Sequence, residues 1–245
     1  MKLLVVNVNT TAAMTDVIAA SARSVAAAGT EIIGLTPTFG AESVEGNFES
    51  YLAAVAVMNA VATYPGPFDA VIQAGFGEHG REGLQELLEV PVVDITEAAG
   101  YLASLIGHRY SVVTTLDRTV PLIEDRLMLA GLATRCASVR SSGLSVLQLE
   151  QEPDTAVKAI VHEAELAVRE DHAEVICLGC GGMAGLDDAV RKATGVPVVD
   201  GVTAAVKLAE SLVDLGLSTS KVRSYATPRH KRLTGWPLTP DRGED

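Results

Sequence analysis

Two short stretches of this 245-residue chain carry residue types whose spacing could do chemistry. In "VICLGCGGM" (175–183) an apolar run ends at Cys180, two glycines follow, and a helix is expected from near Ala184. A cysteine at a helix start meets free backbone amides and the positive end of the helix dipole, which favour thiolate and can hold a developing oxyanion. Gly181 and Gly182 would supply those amides. The second stretch, "VIQAGFGEH" (71–79), has the same shape, but Gly75 stands where the cysteine would be. Its titratable group is His79, beside Glu78 at an expected helix start. An imidazole there could serve as a base near neutral pH, or be one half of a solvated first-turn pair. Cys180 has its own plain alternative, since free cysteine is often a small buried apolar residue in a tight turn.

Polar residues at other strand ends could orient a ligand. Asn7, Asn9, Thr10 and Thr11 close the first apolar run and open a helix, and Thr114 and Thr115 hold the equivalent place after "SVV". These are helix-capping types that need no further role, but as paired clusters they would offer hydrogen bonds to a polar molecule. In the loop "TPTFGAESVEGNF" (36–48), Phe39 could form a pocket wall and Asn47 could face a substrate or cap the next helix. Cys177 makes "CLGC" a C-x-x-C, yet it falls inside the strand and lacks a second ligand pair, so neither zinc nor redox chemistry is expected. Cys177 and Cys136 read as packing residues, and no metal site is expected.

These residues need elements to position them. Short apolar runs at 2–6, 30–35, 69–74, 91–93, 109–113, 134–138, 174–178 and 197–199 read as strands. Ala-rich segments near 10–27, 48–63, 80–88, 96–106, 118–130, 153–169, 184–193 and 201–216 read as helices. Strands this apolar between helices predict an α/β fold with mostly parallel sheets covered on both faces. The chain also repeats itself. "VPVVD" occurs at 90–94 and again at 196–200, and the pairs Val5/Val112, Gly75/Cys180 and Asp94/Asp200 lie 107, 105 and 106 positions apart. That predicts two pseudosymmetric three-layer α/β/α halves: 1–95 completed by 206–245, and 96–205. Ligands bind beyond the carboxyl ends of parallel strands, so facing halves would place residues 75 and 180 on opposite walls of one cleft.

Composition excludes some partners. A net charge of −12 with no basic block before the last 25 residues argues against nucleic acid or an anionic membrane. The Arg/Lys run at 229–232, in an extended tail with Pro228, Pro237 and Pro240, reads as a solvated patch. No apolar stretch is long enough to span a bilayer, and three cysteines suit a reducing, cytoplasmic setting.

Together these pieces resemble the Asp/Glu/hydantoin racemase superfamily, in its hydantoin and allantoin racemase branch. The resemblance runs over about residues 2–222, through "VVNVNTTAAMT", "SVEGNF", "AGFG", "VVTTLDRT", "LGCGGM", "VPVVDGVTAAVKLAESLVDLGL" and "TSK". It implies homo-oligomeric enzymes of two α/β halves that use no cofactor and no metal. Their substrates are small molecules, here a 5-substituted hydantoin or related amino-acid derivative. Two cysteines, one per half, act on a carbon beside a carbonyl: a thiolate removes the proton and the opposite thiol delivers one to the other face. The family's second cysteine falls on Cys180, with Asn9, Thr114 and Thr115 positioning the ring. Its first falls on Gly75, in Ala74-Gly75-Phe76-Gly77, leaving Gly75 and Phe76 as the opposite wall. Two further departures are Glu78-His79-Gly80, where the family tends to have Asp-Pro-Gly, and Val8, where it usually has Pro. Two-thiol racemization cannot run here unless His79 or a water replaces the missing group. A superfamily relative, arylmalonate decarboxylase, resembles this arrangement in pairing a glycine with a lone cysteine. The resemblance therefore implies an isomerase with Cys180 as acid/base, with a one-cysteine decarboxylase or a non-catalytic ligand-binding member as alternatives.

Overall fold

A computed structural model describes residues 1–233, and Pro237 and Pro240 lie outside them. The apolar, β-branched runs form strands β1 (Lys2–Val6), β2 (Glu31–Leu35), β3 (Ala70–Gln73), β4 (Val92–Asp94), β5 (Tyr110–Thr114), β6 (Cys136–Ser141), β7 (Val175–Leu178) and β8 (Val198–Asp200). They build two four-stranded parallel sheets, ordered β2-β1-β3-β4 and β6-β5-β7-β8. The two orders are the same once the second sheet is renumbered, so the internal repeat in sequence is a repeat in topology. In the first sheet Leu3 pairs with Ile32 and Ala70, and in the second Val112 pairs with Val139 and Cys177. The architecture is α/β in two pseudosymmetric halves.

Helices α1 (Ala12–Val25), α2 (Asn47–Ala62), α3 (Arg81–Leu87), α4 (Ile95–Ile106), α5 (Val120–Leu129), α6 (Val146–Gln151), α7 (Pro153–Glu170), α8 (Asp187–Thr194) and α9 (Gly201–Asp214) connect the strands. The repeated "VPVVD" is a strand that ends in a helix cap. Asp94 Oδ1 accepts the Glu97 N–H at 2.8 Å to start α4, and Asp200 Oδ1 accepts those of Val202 and Thr203 at 2.7 and 3.0 Å to start α9. Helix α6 was not expected. Its signal is the capping box of Ser145 and Gln148, short enough to be taken for loop ahead of Pro153.

Three apolar clusters order these layers. One packs α2 and α3 on the outer face of the first sheet, and another packs α6, α7 and α8 on the outer face of the second. The largest lies between the sheets and joins Ile18, Ala22, Ala98, Ala103, Ile123, Val202 and Ala209 to both of them. Helix α9 packs on β3 and β4 and against α1 and α4, so a boundary at 205/206 would fall inside it. Beyond it, Thr219 Oγ1 donates to the Val90 carbonyl at 3.3 Å and Lys221 Nζ to that of Gln85 at 2.6 Å. Residues 229–232 are exposed. Among the described residues, no helix is long and apolar enough to cross a membrane.

Candidate active site

The carboxyl ends of β1, β3, β5 and β7 converge on one small cavity of about 40 Å³ between the halves. Asn9, Gly75, Phe76, His79, Thr114, Thr115, Cys180, Gly181 and Gly182 all line it. The turns after β3 and β7 touch: a Cβ on Gly181 would come within 2.9 Å of the Ala74 carbonyl oxygen. Residues 75 and 180 thus line one cavity from equivalent, abutting turns of the two halves.

On the second wall, Cys180 is not at the start of a long helix. A single 3-10 turn, Gly181–Met183, follows it, and α8 begins only at Asp187. With no extended dipole behind it, the expected drive toward thiolate is weak. Burial pushes the Cys180 thiol up to about 11, against the lowering effect of the Gly182 amide and with a further push from the Glu45 carboxylate. The Gly182 N–H lies 3.4 Å from the sulfur and so is already committed to it. The resting group is a thiol, able to give a proton, and its anion would meet a waiting amide.

On the first wall, His79 is not solvated but only 4% exposed. Burial pushes its imidazole down to about 4, against a hydrogen bond to the Phe76 backbone, with the Arg126 charge lowering it further. It is neutral near pH 7, and among the described residues its buried Nδ1 has no hydrogen-bond partner. The ring occupies the room that a side chain at 75 would need. A Cβ there would lie 2.5 Å from Val8 Cγ1 and 2.7 Å from Gln73 Nε2, and closer still to His79 Cδ2. Positions 8, 75 and 79, three separate departures from the family pattern in sequence, are thus one packed group.

Polar residues complete the lining. Asn7 Nδ2 donates to Asn9 Oδ1 at 2.8 Å, and Asn9 Oδ1 also takes the Thr11 N–H at 3.0 Å. Among the described residues Asn9 Nδ2 meets only the Met14 sulfur, at 3.1 Å, a weak acceptor that a ligand carbonyl could replace. Thr114 Oγ1 is engaged with the Gly179 carbonyl at 3.1 Å. No side-chain bond of Thr115 is found among the described residues.

Four expected ligand contacts lie elsewhere. Thr10 Oγ1 donates to the Ala41 carbonyl at 3.2 Å and Thr11 Oγ1 to that of Glu42 at 2.8 Å, so these hydroxyls hold the β2–α2 loop. Phe39 is half-buried in that loop, outside the cavity lining. Asn47 is exposed as the first residue of α2, where Gly46, rather than Asn47, is the cap. Cys177 is fully buried in β7 and Cys136 half-buried in β6, as packing residues. The sequence reading missed Ile18, Val44 and Val146 as lining residues. Ile18 follows Met14 by one helical turn, a spacing that could have shown it. Val146 belongs to the unexpected α6, which the Ser145–Gln148 box could have shown.

Comparison with known proteins gives concordant results. Residues 3–209 match the model of the Asp/Glu/Hydantoin racemase family. A hydantoin racemase of Rhizobium meliloti is 41% identical over 236 residues, 96% of this chain and 98% of its own. The crystal structure of allantoin racemase from Pseudomonas fluorescens is 74% identical with a TM-score of 0.95, covering 96% of this chain and 100% of that one. Allantoin racemase from Klebsiella pneumoniae is 40% identical with a TM-score of 0.94, covering 98% and 99%.

Proposed function

The chain belongs to the Asp/Glu/hydantoin racemase family and is an isomerase of the racemase class, and from that premise we propose that it inverts the carbon beside a carbonyl in allantoin or a 5-substituted hydantoin, with Cys180 on one face and His79 on the other. The observation that carries this reading is the His79 ring itself. With its Cδ2 edge it fills the volume of a residue-75 side chain, and it lines the same cavity as Cys180.

The arrangement suits one acid and one base. In one direction the neutral imidazole takes the proton: the C–H bond breaks, an N–H bond forms, and the electron pair moves onto the carbonyl oxygen as an enolate. The Cys180 thiol then donates to the opposite face, leaving a thiolate held by the Gly182 amide and an imidazolium. The other enantiomer is processed from that ion pair, and passage of the proton from imidazolium to thiolate restores the resting state. Asn9 Nδ2 and the Thr115 hydroxyl are the donors for the enolate oxygen. Every step is a proton transfer among the substrate, Cys180 and His79. Three free cysteines fit a reducing compartment.

Proton NMR in D2O with each enantiomer of allantoin and of 5-substituted hydantoins tests this. Exchange should accompany racemization, and Cys180→Ser and His79→Gln should each slow racemization by about a hundredfold or more. Exchange with retained configuration that survives His79→Gln would remove His79 from the reaction. Carbon dioxide release from a disubstituted malonate, lost in Cys180→Ser, would replace the reading with a one-cysteine lyase. No exchange on any substrate would leave a ligand-binding protein.

A further inference from the structure

Helix α5 places a charged residue on its buried stripe. Ile123, Arg126 and Leu127 face inward together, and Arg126 is 2% exposed. Such a residue persists only when its charge is met, because an unpaired buried guanidinium is strongly unfavourable. Arg126 belongs to the second half, but its partners lie in the first half and at the joint between the two. Nη1 donates to Glu78 Oε2 at 2.9 Å and Glu82 Oε1 at 2.5 Å, and Nη2 to Asp94 Oδ2 at 3.1 Å and Glu97 Oε1 at 2.5 Å.

Glu78 connects this cluster to the cavity. While one of its carboxylate oxygens takes Arg126, the other accepts the Gly80 N–H at 2.8 Å. The residues on both sides of His79 are thereby braced, and Gly77 N–H donates to Thr96 Oγ1 at 2.8 Å to fix the turn further back. Among the described residues His79 Nδ1 has no partner, and the ring's hydrogen bond is to the Phe76 backbone of the same turn, so the ring goes where the turn goes.

We propose that Arg126 is a positioning residue for the reaction: reaching across the interface between the halves, it clamps the Glu78–Gly80 turn so that the His79 imidazole is held against the cleft. The clamp rests on the reading of His79 as an acid/base. It also makes that group depend on the two halves staying together, since turn and guanidinium come from different halves. The charged groups around the turn are Glu78, Arg81 and Glu82 on its own segment, Asp94 and Glu97 from the β4–α4 joint, and Arg126 from α5. Helix α2 meets Gly80 at Ala54, and Cys180 is a titratable group lining the same cavity as His79. Removing Arg126 leaves the carboxylates unbalanced and takes away a cation near the ring, and both changes favour imidazolium.

The test follows the His79 resonances by NMR alongside steady-state kinetics in Arg126→Gln, Arg126→Lys and Glu78→Gln. In Arg126→Gln the His79 midpoint should move upward while that of Cys180 stays, and kcat should fall tenfold or more with KM little changed, on the scale of the hundredfold that a displacement of about 1 Å can produce. Arg126→Lys keeps charge but not the two-sided fork, so it should hold the midpoint and still lose kcat. Glu78→Gln, which leaves Arg126 three carboxylates, should lower kcat and speed hydrogen exchange at the Gly77 and Gly80 amides; it decides the matter if the Arg126 variants do not fold. A wild-type His79 midpoint and kcat in folded Arg126→Gln, or wild-type kcat and amide protection in Glu78→Gln, would overturn the clamp. Full activity in His79→Gln would instead overturn the role of His79, while the NMR and exchange readouts would still report whether the clamp exists.

Discussion

Gly75 and His79 compete for one volume, and this governs substitution at either position. Introducing a thiol by Gly75→Cys alone should not build a two-thiol site. Its Cβ would run into the buried His79 ring and the buried, β-branched Val8, and overpacking of this kind costs about 1–3 kcal/mol. The double variant Gly75→Cys/His79→Ala should recover part of that stability in urea denaturation and be the one that gains two-thiol exchange. A single Gly75→Cys as stable as wild type would contradict the packing argument. On the proposed mechanism Cys180 and His79 fix the pH profile. Turnover by that route needs one proton shared between them, a state that holds from the imidazole value of about 4 up to the thiol value of about 11. kcat/KM should therefore be flat between those limits and fall below the first and above the second. A rate that climbs steadily toward the thiol value would mean that Cys180 works as a thiolate base.

The elements around the cleft explain why each residue behaves as it does. Strand β7 delivers Cys180 to a 3-10 turn rather than to a full helix, so burial outweighs backbone amides and the thiol keeps its proton. Helix α6 supplies Val146, whose N–H donates to Glu45 Oε1 at 3.0 Å across the mouth of the cleft. Its start depends on Ser145, whose hydroxyl accepts the Gln148 N–H at 3.3 Å. Ser145→Ala should therefore lower stability by about 1 kcal/mol and raise KM through a looser mouth, with the pH profile unchanged because neither titrating group moves. Thermal denaturation and substrate titration would check both parts. An unchanged KM would mean that α6 does not shape substrate binding.

At the scale of the molecule, the two halves meet where the repeat meets itself. The residues after the two "VPVVD" strings, Ile95 and Gly201, lie against each other, and a Cβ on Gly201 would come within 2.6 Å of the Ile95 carbonyl oxygen. Both capped helices start there, and the apolar layer behind them belongs to both sheets. Gly201→Val should destabilise the whole chain by about 1–3 kcal/mol in a single shifted transition, followed by calorimetry. Two separate transitions would show that the halves fold independently and that the central layer does not couple them. A coupled molecule also accounts for the guanidinium of Arg126, in one half, bonding Glu78 on the His79 turn of the other.

Much of this was legible in the residues alone. Apolar runs separated by Ala-rich segments specify parallel strands under helices, because such strands have no wet face, and the near-constant spacing of Val5/Val112, Gly75/Cys180 and Asp94/Asp200 specifies two like halves. Strand ends carrying Asn9, Thr114, Thr115 and Cys180 were readable as one site for the same reason: parallel sheets gather those ends. Thr10, Phe39 and Asn47 were not separable from lining residues, because a loop's path depends on what its backbone bonds to. Nor could spacing reveal that Val8, Gly75 and His79 share one pocket of space, that His79 is buried and neutral, or that Arg126 reaches the adjoining Glu78 from 48 positions away. Burial and cross-half contact are properties of packed volume, and they set both the protonation of Cys180 and His79 and the grip on the turn between Glu78 and Gly80. The sequence by itself determined the architecture and the cysteine; only the tertiary structure decided what stands opposite it.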